Sequence, residues 1–422
     1  MREPESIVIV GAGLAGGNAA VTLRGEGYRG RLVVVGREPG IPFGRPPLSK
    51  TYLRGEETLD GWYVRPTAWY ADNDVELLTG AVAEHVDTAE QRALLADGTS
   101  LPYDRLAMCS GGRARRPNIP GLDLEGVHVL RTVADSDAIR RAAEPGRRAV
   151  VVGMGFIGAE VAASLRALHV SVTAVFRGAA PLTAVLGSEV GAVLAAIHRE
   201  NGVELVADDA AVAFEGEGEV ACAVTQRGAR IPCDLVVVGA GIEPELGAVA
   251  RTPVSQDDGI LVDAQCRTSV GTVYAAGDVA NHLHPLFGRV RVEHYNNGEK
   301  MGRALARSML GDQTPYDYVH TFWSDQYEHA IEYVGHARTW DTFVVRGSIE
   351  QRAFLGFYLE GGIVRAAIGL NRGGDPELEP DSEMAACQSL VAGRAKVAAE
   401  TLRDERVDLR ELAGALSPHS RA

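Results

Sequence analysis

Two glycine-rich segments of the same pattern stand in this chain, Gly11-Ala-Gly-Leu-Ala-Gly16 and Gly153-Met-Gly-Phe-Ile-Gly158. Each follows a short apolar run, residues 7–10 and 149–152, whose continuous β-branched character suits a strand buried on both faces of a parallel sheet. Helical patterns follow at 18–24 and 159–168, and second apolar runs at 32–35 and 172–175. In such a strand-turn-helix unit the first glycine makes the tight turn and the second lets backbone approach a pyrophosphate. The third lets helix and strand pack closely, and the helix N-terminus presents free N–H groups to the diphosphate. The chemistry this spacing can do is the binding of two dinucleotides.

The elements that must position these turns exceed one ordinary core, because 422 residues predict two or three domains. The formal charge of −14 argues against nucleic acid as the main partner. No apolar stretch approaches the roughly 20 residues that span a bilayer. Residues 1–6 run directly into the first strand, which predicts no signal peptide and a cytoplasmic location. Cys109, Cys222, Cys233, Cys266 and Cys387 are scattered, and no two have the CxxC spacing of a redox pair, a zinc site or a cluster site. They are expected to be buried thiols, with no metal site.

Beyond its second strand the first unit runs through a proline-rich loop, residues 40–50. Strands are expected near 75–78 and 81–86, then a hairpin around Asp97 and Gly98 and a strand near 106–112. The second glycine segment therefore interrupts the first domain. The run Asp234-Leu-Val-Val-Val-Gly-Ala-Gly241 is expected to mark the return, followed by a strand near 271–278. From about Pro315 the aromatic, alternating segments predict an antiparallel sheet with terminal helices, and 373–383 predicts an exposed acidic loop.

The glycine segments, Arg45-Pro-Pro-Leu-Ser-Lys50, Tyr274-Ala-Ala-Gly-Asp278, Val292-Glu-His-Tyr295 and Phe322-Trp-Ser-Asp-Gln326 together resemble the ferredoxin reductases of bacterial oxygenase systems, in order and over nearly the whole chain. The resemblance implies an α/β fold with two Rossmann-like domains of the glutathione-reductase-like type and a C-terminal α+β domain. The boundaries expected are 1–108 with 235–314 for FAD, 109–234 for NAD(P)H, and 315–422 for the C-terminal domain.

For FAD, the acid after the second strand should hold the adenosine ribose hydroxyls, and Glu38 stands there. Its neighbour Arg37 departs from the family, which often has an acid, and is expected near the adenine. Gly11, Gly13, Ala15, Gly16 and Arg45 complete that side. The resemblance adds Asp278 for the ribityl or diphosphate region, Val82 for the adenine side, Arg131 for the phosphate region, and Tyr295 and Trp323 at the edge of the isoalloxazine. It also implies that Lys50 and Glu160 lie paired beside the flavin, where a positive charge stabilises its electron-rich reduced form.

For the nicotinamide coenzyme the implied set is Gly153, Gly155, Phe156, Ile157, Gly158, Glu160, Arg177 and Gly241, with Phe156 covering the flavin until nicotinamide enters. Members that prefer NADH usually end the second strand with a glutamate, but here Phe176 and then Arg177 follow. A guanidinium at this corner suits a 2′-phosphate. The second arginine common in NADPH-type sites is replaced by Thr183, so both NADH and NADPH remain open.

The implied activity is electron transfer from NAD(P)H through FAD to a [2Fe-2S] ferredoxin serving a cytochrome P450 or ring-hydroxylating oxygenase. Lys300, Arg303 and Arg307, spaced on one helix face, are the docking candidates. One rival is a reductase of a small acceptor such as a quinone, oxygen or a radical. Another is a flavin-dependent signalling protein resembling apoptosis-inducing factor.

Overall fold

The β-branched run 7–10 offers no polar face to water, and the chain covers it on both sides. In the computed structural model, which describes residues 4–416, it forms the strand Ser6–Val10 (β1) at the centre of a five-stranded parallel sheet. Arg31–Gly36 (β2) and Val75–Thr79 (β3) lie to one side of β1. Arg105–Met108 (β4) and the strand Val273–Ala275 lie to the other. The helix Leu14–Gly25 (α1) connects β1 to β2 and buries Ala19, Ala20 and Leu23 completely. Strand order therefore reverses at β1, and a crevice opens at its carboxyl end. This sheet belongs to one compact unit, made of residues 4–46, Thr58–Arg113 and Ile242–Tyr318.

A second unit contains Pro47–Glu57, Ala114–Gly241 and residues 319–416. Its parallel sheet uses Val127–Val129 (β5), Arg148–Val152 (β6), Ser171–Val175 (β7), Val203–Val206 (β8) and Leu235–Val238 (β9), in the order β8-β7-β6-β9-β5. The helix Phe156–Ala167 (α2) follows β6, so the β3-β2-β1-β4 arrangement of the first sheet is repeated as β8-β7-β6-β9. The run 234–241 does not return to the first sheet, because β9 pairs in parallel with β6 and β5. A strand buried on both faces reads alike in either sheet, and the place it was expected to fill is held by β4 and Val273–Ala275.

The second unit also holds a five-stranded antiparallel sheet, built from Thr321–Gln326 (β10), His329–Gly335 (β11), Thr342–Ser348 (β12), Ala353–Glu360 (β13) and Ile363–Leu370 (β14). The helix Thr183–Glu200 (α3) contributes Leu186, Val190, Leu194 and Ile197 to the same core as Phe322, Ile331, Phe354 and Tyr358. That shared core is why the second parallel sheet and the C-terminal sheet form one compact unit rather than two. The helix Glu383–Ala392 (α4) covers β14, and the 373–383 segment is a loop with Leu378 strongly exposed.

The glycines of the first fingerprint divide by what surrounds them. Gly11 has φ +117°, a backbone conformation that side chains rarely adopt. A Cβ on Gly16 would stand 1.9 Å from the Gly11 carbonyl oxygen, whereas one on Gly13 would meet nothing within 4 Å. Gly16→Ala should therefore force helix from strand and lower the thermal midpoint by about 4–8 °C, on the order of 2 kcal/mol. Gly13→Ala should leave the ligand-free protein unchanged and weaken dinucleotide binding instead. Equal thermal losses in the two variants would contradict this division.

Candidate functional site

Carboxyl ends of parallel strands collect the residues singled out in the first unit. Gly11 donates from its N–H to the Val35 carbonyl of β2 at 2.8 Å, and Cys109 donates to the Val10 carbonyl at 2.7 Å, which draws these ends together. Gly13 is the N-cap of α1 and offers no side chain to the helix N-terminus, so a diphosphate has both donors and room there. Beyond β2, Glu38 is bound by both terminal nitrogens of Arg45, and Arg37 pairs with Glu245 at 2.9 Å. Arg37 is thus tied to a carboxylate instead of standing free. The Gly80 N–H donates to the Glu38 carbonyl at 3.3 Å, bringing the Val82 segment alongside. Asp278 follows Gly277, whose α-carbon faces Ala15 of α1. Tyr295 lies against Gly44 and meets Trp62 edge to face at 6.0 Å.

The second unit repeats this geometry with Gly155 as the N-cap of α2. Gly153 donates to the Val175 carbonyl of β7 at 2.8 Å, and Gly239 donates to Val152 at 2.7 Å. Gly241 follows β9 and its carbonyl accepts from Arg115 at 2.9 Å. A Cβ at Gly155 would meet nothing within 4 Å, so this crevice also has open space at its phosphate end. Ile157 is an exposed apolar side chain on the first turn of α2, while Phe156 packs edge to face on Phe322 at 4.6 Å. At the end of β7 Phe176 is buried, and Arg177 is exposed without an ion pair among the described residues. Arg131 sits at the carboxyl end of β5, where its N–H donates to Asp135.

Lys50 and Glu160 meet. Their Nζ–Oε1 distance is 3.0 Å, and both side chains are almost fully buried. Glu160 is placed by α2, two residues after the last fingerprint glycine. Lys50 is placed by the proline-rich loop, which two hydroxyls pin: Ser136 donates to the Leu48 carbonyl at 2.8 Å and Ser164 to the Ser49 carbonyl at 2.7 Å. Ser49 donates to Glu160 Oε2 and Ser324 to Oε1, the latter at 2.8 Å. Sequence reasoning missed Ser49 and Ser324. The signal for Ser324 was available, because Phe322, Ser324 and Gln326 share one buried face of β10 by strand alternation. Trp323 lies on the other face, opposite Glu332.

The family model described as pyridine nucleotide-disulphide oxidoreductase matches residues 5–302, and one described as reductase C-terminal matches 321–413. The chain belongs to the pyridine nucleotide-disulphide oxidoreductase family. It is 37% identical to the biphenyl dioxygenase system ferredoxin–NAD(+) reductase component of Paraburkholderia xenovorans, covering 97% of this chain and 98% of that one. It is 34% identical to the putidaredoxin reductase of Pseudomonas putida, over 98% of both. Among solved structures, the ferredoxin reductase for the CYP199A2 system from Rhodopseudomonas palustris superimposes with a TM-score of 0.91 at 32% identity, covering 97% of this chain and all, 100%, of that one. The covalent putidaredoxin reductase–putidaredoxin complex gives 0.92 at 33% identity, over 98% and 99%.

As an oxidoreductase of this family the chain departs from the chemistry in the family's name. All five cysteines are free, and burial pushes the Cys109 and Cys233 thiols up to about 12. Cys222 is half-buried, a correction to the expectation that all five are buried. Among the described residues no cluster of possible metal ligands occurs, and no helix is long and apolar enough to cross a membrane.

In the first unit Lys300, Arg303 and Arg307 line one open groove with Tyr316 and Tyr318. Arg303 pairs with Glu299, and Arg307 with Glu26 at 2.8 Å, so the positive face is partly neutralised.

Acids gather on the Trp323 face of β10 and β11. Burial raises Asp325 above the usual carboxylate range, with Lys50 opposing and Glu160 adding to the rise. Glu332 is pushed up to about 8, first by burial and then by Asp375, Asp325 and Glu379. A group raised this way holds its proton in the folded state between its ordinary value and about 8. Its contribution to stability is then lost as pH rises through that window. Glu332→Gln should therefore be nearly neutral at pH 5 and increasingly stabilising towards pH 8.5, as measured by thermal midpoints. A difference that stays flat with pH would contradict the raised value.

Proposed function

We propose that this oxidoreductase is an FAD-containing NAD(P)H:ferredoxin reductase that supplies a [2Fe-2S] ferredoxin serving a cytochrome P450 or a ring-hydroxylating oxygenase. The buried Lys50–Glu160 pair carries the reading, since it accompanies two dinucleotide crevices in a chain with no cysteine pair. FAD, when bound, supplies a group that accepts two electrons together and releases them singly, which nicotinamide alone cannot do. The side chains do the rest. Lys50 places a fixed positive charge in a dry setting, where it stabilises added negative charge far better than in water. Glu160 holds that lysine in place. Within the first unit, Glu38 and Asp278 are the proposed partners of the FAD hydroxyls and Tyr295 of its ring edge. The proposed domain division remains FAD-binding, NAD(P)H-binding and C-terminal, with the run 235–241 moved to the NAD(P)H-binding part.

Lys300, Arg303 and Arg307 are the proposed docking residues for an acidic ferredoxin, steering encounter more than adding affinity. Free cysteines suit a reducing compartment, and the cytoplasm is the proposed location.

Coenzyme choice turns on Arg177. Phe176 has no acceptor for a ribose hydroxyl, and the exposed guanidinium beside it is the group able to meet a 2′-phosphate. Arg177→Ala should weaken NADPH by roughly 1.5–3 kcal/mol, the scale of a hydrogen bond to a charged group, and leave NADH nearly unchanged. The measurement is kcat/KM for both coenzymes with a [2Fe-2S] ferredoxin acceptor at two salt concentrations, the NADPH preference falling as salt rises. Equal losses for both coenzymes would make Arg177 only a strand end. Reduction of ferricyanide but of no ferredoxin would favour a small acceptor.

A further inference from the structure

A line of buried polar groups leads away from Glu160 into the second unit. Gln326 Nε2 lies 3.2 Å from Ser324 Oγ. His198 Nε2 lies 3.0 Å from Gln326 Oε1, and His198 Nδ1 lies 3.0 Å from the Tyr327 hydroxyl. Ser324, Gln326 and His198 are at most 1% exposed. Three elements supply them: α3 gives His198, β10 gives Ser324 and Gln326, and the turn between β10 and β11 gives Tyr327.

Donor and acceptor capacity fixes the direction of every bond. A carboxylate only accepts, so Ser324 must give Glu160 its proton. Its oxygen must then accept from the Gln326 amide NH₂, which turns the Gln326 carbonyl towards His198. His198 must donate from Nε2, and its Nδ1 is left to accept the Tyr327 O–H. All donors point towards Glu160. Bonds aligned in one direction polarise one another in a low-dielectric interior.

Two independent features show that the arrangement is held. Burial pushes the His198 imidazole down to about 4, so it stays neutral, as a ring that both donates and accepts must. Tyr327 has φ +58°, at the first position of a two-residue hairpin turn where glycine is the usual occupant. A bulky residue there is strained, and its hydroxyl is the group that ends the line.

We infer that His198, Gln326 and Ser324 are positioning residues, a one-way donor line that fixes the Glu160 carboxylate and, through it, Lys50 for reduction of the flavin by NAD(P)H. The inference rests on the reading of Lys50 and Glu160 given under Proposed function.

Two measurements on the FAD-loaded protein test it. Nitrogen NMR of the ¹⁵N-labelled protein at pH 7 should show His198 as the neutral Nε2–H form. In stopped-flow reduction by NADH or NADPH without oxygen, Ser324→Ala and Gln326→Leu should each slow the reduction step by about tenfold, the scale of one lost hydrogen bond, with coenzyme affinity unchanged. The double variant should be no slower than the slower single one, and Ser324→Thr should recover the rate. An Nδ1–H form of His198, or Gln326→Leu reacting at the wild-type rate, would overturn the line. If neither coenzyme reduces the wild-type protein, the functional reading fails, and the NMR result still decides the line by itself.

Discussion

Placing a lysine and a glutamate together out of water is costly, because each ion loses its hydration before it gains its partner. The 3.0 Å contact between Lys50 and Glu160 persists because the surroundings replace that hydration. Ser49 and Ser324 each donate to a different oxygen of Glu160, and hydroxyls from Ser136 and Ser164 fix the backbone that leads into Lys50. Removing Lys50 would leave Glu160 buried without its cation, a loss of about 3–5 kcal/mol. Much of the second unit can be understood as the means of holding this pair. α2 brings Glu160 next to the phosphate-binding turn, the proline-rich loop restricts Lys50, and the C-terminal sheet closes over Glu160 with Ser324.

The two parallel sheets meet the same constraint in the same way. In each, a strand buried on both faces ends at a turn where only glycine leaves room, and a helix starts with its N–H groups uncapped. The sites differ where selectivity arises. The first sheet places Glu38 after its second strand, and the second places Phe176 and Arg177 there. A carboxylate suits ribose hydroxyls, and a free guanidinium suits a phosphate. On the proposed reading, the same scaffold separates two dinucleotides through a few side chains at one corner.

Much of this was legible in the sequence, for physical reasons that also set the limit. The β-branched runs and glycine spacings are local signals, and β1, β2, β6, β7, α1 and α2 stand where they were expected. The strand β9 was assigned to the wrong sheet because its residues satisfy either environment equally. Pairings such as Arg37 with Glu245, or Ser324 with Glu160, join residues far apart in the chain and leave no local periodicity. His198 stands beside Leu194 and Ile197 on the buried side of α3, so no local pattern marks it. Its function as a hydrogen-bonding group emerges only when that helix packs on β10.

The midpoint potential of the bound flavin tests the central claim, that the positive charge of Lys50 stabilises the reduced cofactor. In a spectroelectrochemical titration, Lys50→Met should lower the two-electron potential by about 30–60 mV relative to the wild type, corresponding to roughly 1.4–2.8 kcal/mol, with FAD still bound. An unchanged potential in a folded, FAD-loaded variant would contradict the account and place the lysine's role elsewhere.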